Sequence, residues 1–516
     1  MTISNMDRRH LLRAGGALSM LGAAAPFALQ LAAASSASGQ SASSYRALVC
    51  IFLFGGNDAN NAVLATDTDS WGRYFAARNT GSDPIALMPV GTAPTPVGQV
   101  SPVTGRTATP VTPEAWGGVV PITPSTPNPV PPGTNATTRT FALHPFLAPM
   151  ANLFSAGRLA IVANLGTMVG PLTKAQYQAN SAPYPASLYS HNDQQSTWEA
   201  GGPQGAQFGW GGQFADLLAT SNGSNSLFTA ISVQGNAVFL SGQSVVQYQL
   251  STTNLPAVLV SSAISSSLFG SSVAPAIVQG VVQDTNGPNL FMQDYSSKVI
   301  RSMNAAATLN ASFGQPPVTT VAAPPPFTNP LTGQIETNSL AVQLQTVAKM
   351  IAANANLGLL RQVFLVSLGG WDTHKTQNAI QPNLLAKVAH ALTYFDAALS
   401  NISGVDMRSN VTAFTASDFS RTFTTNGSGT DHAWGSHHFV WGGAVNGGNI
   451  YGQFPTVGVD LGTFKNPNMA GQALVPSTSV DQYGATLGRW LGVSDASMDV
   501  IFPNLKKYAQ RYLSFI

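Results

Sequence analysis

Residues 47–54 form an unbroken apolar run that ends at Gly55-Gly56. A short run of this kind, closed by glycines, reads as a strand covered on both faces, as in parallel sheets. Similar runs occupy residues 158–163, residues 363–368 ahead of Gly369-Gly370, and residues 411–416. Between them the pattern predicts helices over residues 144–157, 209–219, 340–354, 384–399 and 482–491, with another opening at 194–199. Strands alternating with helices predict an α/β fold on a mostly parallel sheet. Such sheets bind ligands beyond the carboxyl ends of their strands. Two stretches interrupt the alternation. Residues 80–140 are dense in Pro, Thr, Gly and Val and read as a long surface insertion with irregular strands. The second, residues 221–335, is rich in Ser, Val, Asn and Gly over 221–290, with β-like patches at 230–233 and 237–240, and has a proline-rich loop at 316–330. No internal repeat is evident.

The strand ends carry the candidate chemistry. The first run delivers Gly55-Gly56-Asn57-Asp58. Residues 363–368 deliver Gly369-Gly370-Trp371-Asp372-Thr373-His374, and residues 411–416 deliver Ser417-Asp418-Phe419-Ser420-Arg421. Downstream lie Asp431-His432 and His437-His438, and Ser190-His191 follows the second run at some distance. In a parallel sheet these ends share one edge. Carboxylates crowded there repel one another, and a divalent cation removes that cost. The candidate ligands are therefore Asp58, Asp372, His374, Asp418, Asp431, His432 and His437. Mixed Asp and His donors suit zinc best, with manganese, iron, calcium and magnesium left open. Two ions bridged by one Asp would polarise a phosphoryl or sulfuryl oxygen. Taken singly, Asp58 also reads as an Asx turn or helix cap. Asp418 with Arg421 also reads as a local ion pair. At strand spacing, only one of His437 and His438 faces inward. His144 and His390 read as structural.

Composition narrows the function classes. The chain is 44% hydrophobic and 9% charged, so it buries a large core and is not disordered by charge. Arg8-Arg9, then a mildly apolar stretch and a small-residue tail, form a twin-arginine (Tat) signal over residues 1–40. Removing it takes away Asp7, Arg8, Arg9 and Arg13 and leaves 20 basic against 20 acidic residues, from 23 and 21. A neutral surface gives no support for nucleic-acid binding. The expected partners are the Tat translocase during export and a small-molecule or glycan ester substrate, with no stable membrane span after cleavage. The expected location is periplasmic or secreted. Cys50, the only cysteine, allows no internal disulfide and reads as inert core.

These motifs together resemble the domain-of-unknown-function 1501 family, exported bacterial proteins placed with the alkaline phosphatase and sulfatase superfamily. Among the segments that carry the resemblance are Phe52 to Asp58, Ser190-His191, Gly370 to His374, Ser417 to Thr422, Gly429 to His432 and Gln482 to Trp490. The resemblance implies an alkaline-phosphatase-like three-layer α/β/α fold, a single domain over residues 45–516 carrying both insertions. It implies metal ligation by Asp58 and by Asp372 with His374. The superfamily's Ser-Asp-His-Gly is echoed at Ser417 to Ser420, where Phe419 replaces the histidine and Asp431-His432 is the candidate replacement. Ser190 is the best positional match to the superfamily nucleophile, and it equally reads as a helix cap. Arg421 is the candidate clamp for a substrate oxyanion. The implied function is metal-dependent hydrolysis of phosphate or sulfate esters. The alternative is a non-catalytic envelope binding or assembly protein on a hydrolase-like scaffold.

Overall fold

The computed structural model describes residues 44–131, 137–252, 267–268, 270–285 and 289–516. The export signal read at residues 1–40 lies outside them. The first apolar run forms strand β1 (Arg46–Phe54), whose side chains alternate between two cores. Val49, Ile51 and Leu53 point to one side, and Leu48, Cys50 and Phe52 to the other. A central strand between two apolar layers must be apolar on both faces, which is why the run is unbroken.

Eight further strands complete the sheet: β2 (Leu159–Gly166), β3 (Ala230–Ser232), β4 (Tyr248–Gln249), β5 (Arg361–Gly369), β6 (Val411–Ser417), β7 (Ser436–Gly442), β8 (Ile450–Tyr451) and β9 (Thr478–Ser479). Their order is β8-β2-β7-β6-β1-β5-β3-β4, with β9 also paired to β2. Strand β7 is antiparallel to both neighbours, and every other pairing is parallel.

Helices cover both faces. On one side pack α4 (Ser339–Ala352) and α5 (Gln377–Ser400), through Leu344, Val347, Leu385 and Phe395. On the other lie α2 (His191–Ala200), α3 (Trp210–Leu218) and α6 (Val480–Leu491), through Trp198, Trp210, Phe214 and Leu487. The fold is thus mixed α/β on a large, mostly parallel sheet, compatible with three layers. Among the described residues, no helix is long and apolar enough to cross a membrane.

The interrupting stretches are more ordered than their composition predicts. Val120–Ile122 pairs with Phe141–Leu143, which also pairs with Val63–Ala65 to make a small antiparallel sheet. Ile85, Ala86, Leu87 and Met88 are fully buried, so this insertion is anchored in the core and not merely laid over the surface. The second stretch supplies β3 and β4 and two helices, Ala274–Val282 and Leu290–Phe313. Residues 238–240, read as β-like, form a 3-10 turn.

Of the two readings left open for the second of His437 and His438, solvent-facing or core, the structure has the core one. Both are buried, because β7 sits between β2 and β6 with both faces covered.

Candidate metal centre

Two glycines bring the strand ends together. Gly55 and Gly56 adopt φ of 117° and 83° at the end of β1. A Cβ on Gly55 would lie 2.5 Å from the Asp372 backbone nitrogen, and one on Gly56 would lie 2.6 Å from the Phe419 ring. Only glycine permits both the turn and the approach.

Asp372 follows β5 and is held in place by Trp371, a fully buried ring whose indole N–H donates to the Leu368 carbonyl at 2.9 Å. His191 is the first residue of α2. His432 arrives on a short antiparallel ribbon in which it pairs directly with Arg421. The ligand atoms of His191, Asp372 and His432 all lie within 4.8 Å of one another, a group able to hold a metal ion.

Hydrogen bonds fix which nitrogen of each ring faces the group. His191 donates from Nδ1 to Asp418 at 2.6 Å. His432 donates from Nδ1 to the Tyr189 carbonyl at 2.8 Å, and His374 from Nδ1 to Asp431 at 2.9 Å. A carbonyl or carboxylate oxygen can only accept here, so each Nδ1 carries a proton, and in its neutral form each ring presents its Nε2 lone pair. Those atoms converge on Asp372: Nε2 of His432 and of His374 each lie 3.2 Å from its Oδ1, and Nε2 of His191 lies 3.6 Å from its Oδ2. Rings oriented through the far nitrogen, with lone pairs aimed at a shared carboxylate, have the chemistry of a metal-ligating set.

The electrostatics agree. Burial alone would raise the Asp372 carboxyl, but the Arg421 guanidinium outweighs it and holds the acid at about 2. The hydrogen bond to Asp418 raises His191 above its ordinary value. Burial, reinforced by the charge of Arg421, lowers His432. Asp431 is lowered: burial opposes ionisation, and hydrogen bonds from His374 and Asn426 overcome it. The Phe419 ring packs on His191 and His432 at 4.8 and 4.4 Å between centroids. Phe419 thus forms a wall beside the two rings.

The structure gathers Asp372, His374, Asp431 and His432 into one group, with Asp418 directly behind His191. It does not bring Asp58 or His437 there. Asp58 caps the turn Ala59–Ala62 and pairs with Arg78 at 2.5 Å, both side chains fully buried, with Gln377 donating to it at 2.6 Å. A carboxylate neutralised in this way has no oxygen left for an ion. His437 accepts at Nδ1 from the Asn164 N–H at 3.1 Å and stacks on Phe454, and burial pushes it down to about 3.

Arg421 is corrected as well. It is 1% exposed and spends its donors on the carbonyls of Gly55, Gly56, Trp371 and Thr430 and on Asp372. It fixes Asp372 from beneath and has no fork left for a substrate oxyanion. Ser190 stands at the head of α2, where its hydroxyl accepts from the Asp193 N–H at 3.5 Å as a helix cap.

Sequence reading missed His191 as a candidate ligand, although Ser190-His191 had been singled out. The available signal was a histidine beginning a helix beyond a buried strand. It also missed Asp418 as the orienting partner, which accepts further bonds from Gln195 at 2.9 Å and from the Gly55 N–H at 3.2 Å.

A family model described as "Protein of unknown function (DUF1501)" matches residues 45–503. No curated protein matches the chain.

Proposed function

This chain belongs to the DUF1501 family of proteins of unknown function, and on that footing we propose that it is an exported, metal-dependent hydrolase of phosphate or sulfate esters. The observation that carries this reading is the convergence of three imidazole Nε2 atoms on the Asp372 carboxylate. The set lies beyond strand ends of a mostly parallel sheet, which supports an alkaline-phosphatase-like assignment of the fold. Imidazole and carboxylate donors together suit zinc.

When bound, such an ion supplies Lewis acidity toward a phosphoryl or sulfuryl oxygen. The residues of the chain do the orienting. Asp418, Asp431 and the Tyr189 carbonyl hold the His191, His374 and His432 rings. Arg421 keeps Asp372 ionised and in place. Phe419 excludes water from one side of two rings. Ser190, beside His191 at a helix N-terminus, is the candidate nucleophile. The twin-arginine signal supports export to the periplasm or beyond, with the Tat translocase as partner in transit.

One observation favours the second reading, a non-catalytic envelope binding protein. Arg421 is buried with all three guanidinium nitrogens bonded and the Ser190 hydroxyl serves as a cap, so neither stands ready to act on substrate. Metal content of the exported protein by mass spectrometry, followed by turnover of aryl phosphate and aryl sulfate, decides between the two. Hydrolysis predicts a stoichiometric divalent ion and turnover lost on chelation. Stoichiometric ion without turnover of any ester selects the binding reading, and no ion at all overturns the centre itself.

A further inference from the structure

Residues 167–190 run from the end of β2 to the head of α2, and they bring three tyrosines to the centre. Tyr177 packs edge-on against Tyr184 at 5.0 Å and lies 5.5 Å from Trp434. The Tyr189 hydroxyl is 3.4 Å from that of Tyr177. Trp434 is buried two residues beyond His432, with its indole N–H on the Thr167 carbonyl at 2.9 Å. Leu188, Met168, Val475 and Tyr508 complete the small core beneath. The cluster is therefore anchored, yet Tyr189 remains 43% exposed.

Of the exposed aromatic residues among those described (Tyr189, Phe291 and Tyr295), Tyr189 is the one joined to the centre, through its carbonyl bond to His432. A rigid tyrosine exposes an apolar face at little entropic cost while its hydroxyl stays bonded. Placed at the rim of a polar, charge-bearing centre, that face complements a ligand with an anionic group at one end and a flat ring at the other.

We propose that Tyr189, backed by Tyr177, Tyr184 and Trp434, is the subsite for the ring of the ester, so that the substrate is an anionic ester of a ring-bearing alcohol. This inference rests on the ester-hydrolase reading for the anionic end. The ring chemistry has two sources, an aryl group or a pyranose, which share an apolar face.

The test uses the exported protein as purified and reads binding by calorimetry, independent of turnover. The probes are phenylphosphonate, a hexose phosphonate and propylphosphonate. The wild type should bind at least one ring probe more tightly than the linear one. Tyr189→Ala should weaken that ring probe about tenfold and leave propylphosphonate unchanged. Tyr189→Phe should retain most of the affinity. The ring probe that suffers more identifies the source. Equal loss for ring and linear probes would mean that the substitution disturbs the centre as a whole and would overturn the proposal, as would a wild type without ring preference or without binding. Ring-selective binding in a protein that turns over no ester would leave the subsite standing while removing the hydrolase reading.

Discussion

The Nε2 atoms of His374 and His432 face each other at 3.0 Å. Each ring has committed its Nδ1 proton elsewhere, to Asp431 and to the Tyr189 carbonyl. At that separation either one Nε2 carries a second proton and donates to the other, or a shared cation takes both lone pairs. Zinc should therefore stabilise the protein in proportion to its occupancy. At a free zinc concentration about a hundredfold above Kd, linkage gives about 2.7 kcal/mol, read as a rise in Tm after chelator-treated protein is reloaded. His432→Ala should lose that rise. A rise of the same size in the variant would place zinc elsewhere.

Asp431 tests the orienting bonds separately. Its side chain is 58% exposed, so Asp431→Ala should move stability by no more than about 0.5 kcal/mol. By freeing the His374 ring it should weaken metal affinity by about ten- to a hundredfold, measured by competition with a chromogenic chelator. An unchanged affinity would leave His374 outside the centre.

Asp58 should behave in the opposite way. Its partner Arg78 also donates to Asn61 at 2.8 Å and to the Thr422 and Phe423 carbonyls at 2.9 and 2.7 Å. Removing the carboxylate leaves a buried guanidinium uncompensated. Asp58→Ala should cost about 3–5 kcal/mol in chemical denaturation. The folded fraction should keep its full metal content. A stable variant depleted of metal would restore Asp58 as a ligand.

Stability should also depend on pH through Asp481. This carboxyl lies buried in the first turn of α6, and burial raises it to about 7. An unfolded aspartate titrates near pH ~4. Between those values the folded chain holds a proton that the unfolded chain has released. The contribution is thus complete below pH ~4 and is lost as pH rises through 7. Relative to Asp481→Asn, the wild type should lose denaturant midpoint between pH 5 and pH 8. A constant difference would mean the group ionises normally in the fold.

The strands that build the edge were legible because each is central and doubly covered, leaving β1, β5 and β6 no option but continuous apolarity. Strand β7 was harder to read, since its direction is set by a hairpin from β6 and not by residue type. The helix Leu290–Phe313 was hidden by the Ser- and Asn-rich composition around it, and five of its residues are buried. At the centre, Asp372-Thr373-His374 declared itself by spacing, and Asp431-His432 through the family resemblance. His191 did not, because its role depends on Asp418, 227 positions away. Asp58 was misassigned for the same reason: the residue that neutralises it, Arg78, belongs to α1 (Thr68–Arg78) and carries no local mark of the pairing.

The antiparallel course of β7 has a consequence for how this centre changes over generations. Because β6 and β7 are sheet neighbours, residues 418–435 between them need only turn back, with no crossover through a helical layer. That turn carries Asp431 and His432. His191 and Asp372 are instead tied to a helix start and a central strand. Length can change at the turn's exposed tip, around Asn426, while the scaffold keeps its register and the buried Phe419, Arg421 and Trp434 of the same turn keep theirs. Relatives that share the scaffold are expected to differ most at that tip.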